Sequence, residues 1–121
     1  MAGEVKRASR VAEGIREELA MLLTTRVRDP RIVGVLVSRV DLSDDLRSAR
    51  VFFRLLEGAN EARIEEAKTG LARASGMLRK ELSAALKLRA APELRFTYDA
   101  GQEARDRIEA LLDEVKRDGK A

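Results

Sequence analysis

Neither cysteine nor histidine occurs in this chain of 121 residues, and the two absences remove most of the parts from which enzyme sites are built. Without cysteine there are no disulfides and no thiolate metal ligands, which suits a reducing compartment. Without histidine the commonest metal ligand and the commonest general base at neutral pH are gone. Long apolar runs are missing too. Apolar runs hold only a few residues, as in Val35-Leu36-Val37, too short for a spanning helix or for the apolar region of a signal peptide. A cytoplasmic protein without a membrane partner is expected. Aromatic residues make up only 3% of the chain, which weakens any surface that would hold bases by stacking them on rings.

What is present supports a folded domain. Hydrophobic residues make up 45% and charged residues 37% of the chain, enough to bury one core and too charged for a membrane protein. One domain over 1–115 is expected, with 116–121 a disordered tail. The net charge of +3 tilts the balance toward a polyanionic partner, a weak pointer because many basic proteins bind no nucleic acid.

From about Arg7 to Thr24, Val11, Ile15, Leu19 and Leu22 fall on one stripe, so the spacing predicts an amphipathic helix. Asp29-Pro30 breaks it. Val35 to Leu42 reads as a strand, with Leu36, Ser38, Val40 and Leu42 on one face and Val35, Val37, Arg39 and Asp41 on the other. A second strand sets Ala49, Val51, Phe53 and Leu55 against Arg50, Phe52 and Arg54, and the two form an antiparallel hairpin. Asn60 is the expected N-cap of a long helical stretch whose inner face runs through Ile64, Ala67, Leu71, Ala74, Leu78, Leu82 and Ala85. Gly70 and the step Ala74-Ser75-Gly76 weaken its middle, which predicts two helices meeting at a bend near Gly76. On that reading Gly76→Val damages folding or the bend angle. Beyond Pro92, Leu94, Phe96 and Tyr98 alternate as a third strand, and a last helix from about Gln102 to Val115 turns Ile108, Leu111, Leu112 and Val115 inward. The order α-β-β-α-α-β-α implies an α+β sandwich, with helices covering one face of a small sheet and the other face open.

Catalytic readings find little support. Asp41, Asp44 and Asp45 cluster around the first hairpin, but Asp and Ser are favoured turn formers, and an oxygen-ligand metal site needs more donors at fixed spacing. No phosphate-cradling Gly-rich loop with its lysine and no Gly-x-Ser-x-Gly elbow occurs. The chain reads as a non-enzyme with no metal, no cofactor and no small-molecule substrate.

Two surfaces remain as nucleic-acid candidates. On the open sheet face Arg39, Arg50, Arg54 and Arg95 gather beside Phe52, with few aromatics to stack a base. On the helical stretch Arg73, Lys80 and Lys87 recur every seven residues, with Arg79 and Arg89 alongside, a stripe that could clamp a phosphate backbone beside amides exposed at the bend. From these residues alone the stripe reads equally well as an ordinary solvated helix face.

The chain also carries, in this order, Arg10-Val11-Ala12-Glu13, Asp29-Pro30-Arg31, Val40-Asp41-Leu42-Ser43 leading to Ala49-Arg50-Val51, Ala74-Ser75-Gly76 with Leu78-Arg79, Leu88-Arg89, Pro92-Glu93-Leu94-Arg95-Phe96 and Asp99. Through these motifs it resembles, from about Arg7 to Leu112, the ribosome-binding factor A family. The resemblance implies a KH-like (type II) sandwich with a three-stranded mixed sheet. It also implies a factor that binds the small (30S) ribosomal subunit and its 16S rRNA late in assembly, assists processing of the rRNA ends, and serves growth in the cold. The ordinary KH Gly-x-x-Gly loop is absent, and the family's Ala-x-Gly bend stands here as Ala74-Ser75-Gly76. Recognition through phosphates and shape is then expected, with Lys6, Arg7, Arg10, Arg73, Arg79, Lys80, Lys87 and Arg89 as the RNA-binding residues of a protein that is monomeric when free. A KH-like regulator of messenger RNA and a protein–protein adaptor using the open sheet face are the alternatives.

Overall fold

A computed structural model of the chain describes residues 2–119, with side chains described over residues 7–101 and 104–117. Helix α1 spans Ala2–Thr25. Its stripe of Ile15, Leu19, Leu22 and Leu23 is buried, which fixes the face that it turns to the sheet. Pro30 cannot continue an α-helix, and Pro30–Ile32 forms one 3-10 turn capped by Asp29. Strands β1 (Val35–Leu42) and β2 (Ser48–Leu55) pair antiparallel, as expected, and β3 (Glu93–Tyr98) pairs with β2 in parallel. The sheet is three-stranded and mixed, in the order β1-β2-β3. A parallel neighbour requires a crossover, and helix α2 (Glu61–Leu86) supplies it.

Helices α1 and α2 lie on one face of the sheet. Ala49, Val51 and Phe53 of β2 and Leu94 of β3 share one buried core with Ile15 and Leu19 of α1 and Leu71, Leu78 and Leu82 of α2. The ring of Tyr98 meets that of Phe53 edge-on, with centroids 5.8 Å apart, a favoured aromatic geometry.

The expected pair of helices meeting at Gly76 is a single helix, so the order is α-β-β-α-β-α. Nothing lies within 4 Å of the place where a Cβ on Gly76 would stand, so no neighbour forces the chain to turn there. Leu71, Leu78 and Leu82, all buried, hold both halves of α2 to one face and outweigh the helix cost of one glycine, about 1 kcal/mol. The glycine that close packing requires is Gly70, where an added Cβ would stand 3.1 Å from both Arg31 Cβ and Ile32 Cγ1.

The alternation assigned to β1 also changes. Val37 pairs with Phe53 but Arg39 with Phe52, so a β-bulge at Ser38 shifts the phase and turns Val35 and Val40 inward. Helix α3 spans Ala100–Gly119 and does not turn its apolar stripe inward as expected. Its stripe of Ile108, Leu111, Leu112 and Val115 is exposed, because the helix meets its own domain through β2 along the opposite side. Residues 116–119, read as tail from sequence, continue this helix, and 120–121 lie outside the described residues.

Candidate nucleic-acid interface

The local chemistry that positions α2 begins at its first turn. Asn60 Oδ1 accepts a hydrogen bond from the Arg63 amide at 2.8 Å, satisfying one of the free N–H groups of a helix start. The Arg63 guanidinium then donates to the carbonyl oxygens of Arg31 and Val33 at 2.8 and 2.7 Å, tying α2 to the 3-10 turn. In that turn the Arg31 guanidinium grips the Asp29 carboxylate through contacts of 2.6 to 3.1 Å. This grip, reinforced by the Arg31 amide, holds the Asp29 carboxyl down at about 2, and Arg73 adds a smaller electrostatic pull.

Along the outer side of α2, Arg73, Lys80 and Lys87 are exposed on one stripe, with Gly76 exposed between the first two. Lys87 ends the helix in a left-handed conformation, φ 54° and ψ 44°, its amide donating to the Ser83 carbonyl. Arg79 differs from the solvent-facing side chain expected. Although its residue is exposed, its Nε and Nη2 donate to the carbonyl oxygens of Pro92 and Ala91, both at 3.0 Å. Arg79 therefore fixes the path of the segment that links α2 to β3 and presents Arg89.

Packing brings the N-terminal basic residues to this end. A Cβ on Gly14 of α1 would stand 3.1 Å from Leu86 Cδ2 at the end of α2, so the two helices cross there. Arg10, one helical turn before Gly14, and Arg7 beyond it are both exposed. The side chain of Lys6 lies outside the described residues. Arg73 stands apart from this group, near Asp29.

Ion pairing separates the two candidate surfaces. On the sheet face away from α1 and α2, expected to be open but met by α3 at Arg54, Arg39 lies 3.3 Å from Asp41 and stacks on Phe52 at 4.1 Å, Arg95 lies 3.9 Å from Glu93, and Arg54 is paired with Asp106. Among the described residues no ion pair includes Arg7, Arg10, Arg73, Lys80, Lys87 or Arg89. The acids of the hairpin loop serve the turn: Ser43 Oγ donates to Asp45 Oδ1 at 2.7 Å, as does the Arg47 amide at 3.0 Å. These bonds, the hydroxyl first, lower the Asp45 carboxyl below its ordinary value.

Sequence reasoning missed Arg47 and Arg63. The Glu93 amide donates to the Arg47 carbonyl at 2.9 Å, bringing exposed Arg47 against the segment that follows α2. No local signal marks it, because its position depends on the parallel register of β2 and β3. Arg63 lies three residues past the cap, and nothing in its neighbours announces the carbonyls that it binds.

Comparison with known proteins agrees with this architecture. The family model for ribosome-binding factor A matches residues 7–112. A relative from Sorangium cellulosum, described as ribosome-binding factor A, is 53% identical over 117 residues, covering 96% of this chain and 94% of its own. The crystal structure of ribosome-binding factor A from Thermus thermophilus shares the fold, with a TM-score of 0.66 at 24% identity over 75% of this chain and 93% of that one. A homology model of the Thermus thermophilus factor, fitted into a cryo-electron-microscopy map of its 30S complex, aligns with a TM-score of 0.56 at 26% identity, over 69% of this chain and 86% of that one. The α+β, KH-like sandwich and the sequence identity over nearly the whole length point the same way, and the chain belongs to the ribosome-binding factor A family.

Proposed function

We propose that this chain binds the small (30S) ribosomal subunit through its 16S rRNA during late maturation and assists processing of the rRNA ends in the cytoplasm. The observation that carries this reading is the segregation of charge. Lys80, Lys87 and Arg89, with Arg7 and Arg10 at the same end, have no ion-pair partner among the described residues, whereas three of the four sheet-face arginines are matched by acids. Cations without an acidic partner are those whose counterions a polyphosphate releases on binding. Arg73 extends the contact along α2, Arg79 holds the Arg89 segment in place, and Lys6 joins Arg7 and Arg10. The gap at Gly76 lets an RNA backbone approach α2 closely. With few aromatics on either surface, recognition runs through phosphates and shape, not through a short base sequence. The fit of the Thermus thermophilus relative into a 30S complex supports the choice of partner.

The decisive experiment compares wild type with Lys80→Glu/Lys87→Glu. Tagged wild type should sediment with free small subunits, and the variant should remain near the top of the gradient while melting like wild type. Binding to purified subunits should weaken with salt, with a slope about two units shallower in the variant. Cells carrying the variant should accumulate immature small subunits, most in the cold. Recovery of mainly messenger RNA after crosslinking would instead favour the regulator, and subunit binding insensitive to salt would favour the adaptor.

A further inference from the structure

Helix α3 is amphipathic, and its apolar side faces away from its own domain. Asp106 is paired with Arg54 of β2, and among residues 104–117 Asp106 alone is half-buried while every other side chain is exposed. At about 100° per residue, Ile108, Leu111, Leu112 and Val115 lie across the helix from Asp106, and their exposures are 56%, 60%, 55% and 65%. The ion pair thus sets the polar side of α3 against the sheet and points the apolar stripe outward. Rolling the stripe inward would break the pair.

The stripe has the spacing of a coiled-coil seam: Ala104, Ile108, Leu111 and Val115 follow at steps of four, three and four. Beside the seam stand Arg107 and Glu114, equivalent positions of successive heptads, and neither belongs to an ion pair among the described residues. Let two such helices run antiparallel, with Ile108 opposite Leu111 and Ala104 opposite Val115. Arg107 of each copy then flanks the seam beside Glu114 of the other, and the two-fold axis supplies the pair twice. A parallel arrangement sets Arg107 against Leu112 instead and loses both pairs. Helix and charge pattern are complementary to themselves in one orientation.

We propose that α3 docks antiparallel on α3 of a second copy of this chain, a departure from the monomer expected from sequence. A seam this short belongs to the small end of interface sizes, so association should depend on concentration. Because α3 is anchored on the sheet face opposite α1 and α2, pairing leaves the basic end of each copy open.

Sedimentation equilibrium of the full chain, from low micromolar to several hundred micromolar, tests this. The weight-average mass of wild type should climb from monomer toward dimer, and Leu111→Glu should stay monomeric with unchanged helicity and melting. Arg107→Glu and Glu114→Arg should each weaken self-association by about tenfold at low salt. Mixing these two variants in equal amounts should restore association, since each then supplies the charge that the other lacks. A wild-type mass flat at the monomer across the range overturns the proposal. So does a dimer that ignores both charge reversals, or a mixture that fails to recover.

Discussion

At Lys87 the backbone holds φ 54° and ψ 44°, a left-handed conformation that costs a residue with a Cβ about 1–2 kcal/mol. Glycine is the usual occupant of such a helix end, so stability alone does not account for a lysine there. Lys87→Gly should raise stability by about 1 kcal/mol and make the salt slope of subunit binding roughly one unit shallower. Melting and binding then move in opposite directions. A more stable variant that binds as wild type would remove Lys87 from the interface. Arg79 and Lys80 are neighbours with different tasks. Arg79→Glu loses two hydrogen bonds to backbone carbonyls and should cost about 1–3 kcal/mol. Lys80→Glu, with no such partner, should stay within about ±0.5 kcal/mol. Thermal melts of the two single variants separate a structural arginine from a binding lysine, a distinction invisible in the sequence, where both are cations beside Leu78.

Among the elements, α2 carries two glycines with opposite prospects. At Gly70 an added methyl meets the 3-10 turn, where Ile32 is buried and cannot retreat. Gly70→Ala should lose about 1–3 kcal/mol, while Gly76→Ala, facing open space, should gain up to about 1 kcal/mol. Equal melting shifts would contradict this packing. The same turn gives a pH signature. Asp29 sits at about 2 in place of 3.8, and a carboxyl lowered by folding contributes stability that is complete above its unfolded value and is lost as pH falls through its folded one. The melting difference between wild type and Asp29→Asn should therefore be full above about pH 3.8 and shrink as pH falls toward 2. A gap that is constant across that window would show the carboxylate charge to be idle. Elements whose pattern repeats without interruption were legible: α1 from its stripe, and β2 and β3 from alternation that ends inside the sheet. The bulge at Ser38 was not, because it inserts one residue without changing composition. The amphipathic pattern of α3 was legible as well, but a stripe states only that a face is apolar and not which molecule covers it.

For the whole molecule the net charge of +3 says less than its arrangement. The basic stripe of α2 was readable from its spacing by seven. Its union with Arg7 and Arg10 depends on the contact of Gly14 with Leu86, residues far apart in the chain that carry no sign of one another. The family resemblance implied a mixed sheet, but the place of β3 beside β2 and its register, Ser48 against Glu93, were equally hidden, and the parallel pairing bears on how the chain reaches its fold. A chain growing from its N-terminus completes α1 and the hairpin while β3 is still to come. Until α2 has docked, β2 keeps one edge unpaired, and closing that edge costs loop entropy before any ladder bond forms. In pulse-labelled hydrogen exchange during refolding, amides shared by β1 and β2 should gain protection before those of β3. Simultaneous protection of all three strands would make the crossover no barrier. The waiting edge is the stretch from Ser48 to Phe53, where Ala49, Val51, Phe52 and Phe53 are interrupted only by Arg50, and bare edges of that kind pair with whatever strand arrives first. The interval before β3 is in place is thus when nascent copies are most prone to aggregate.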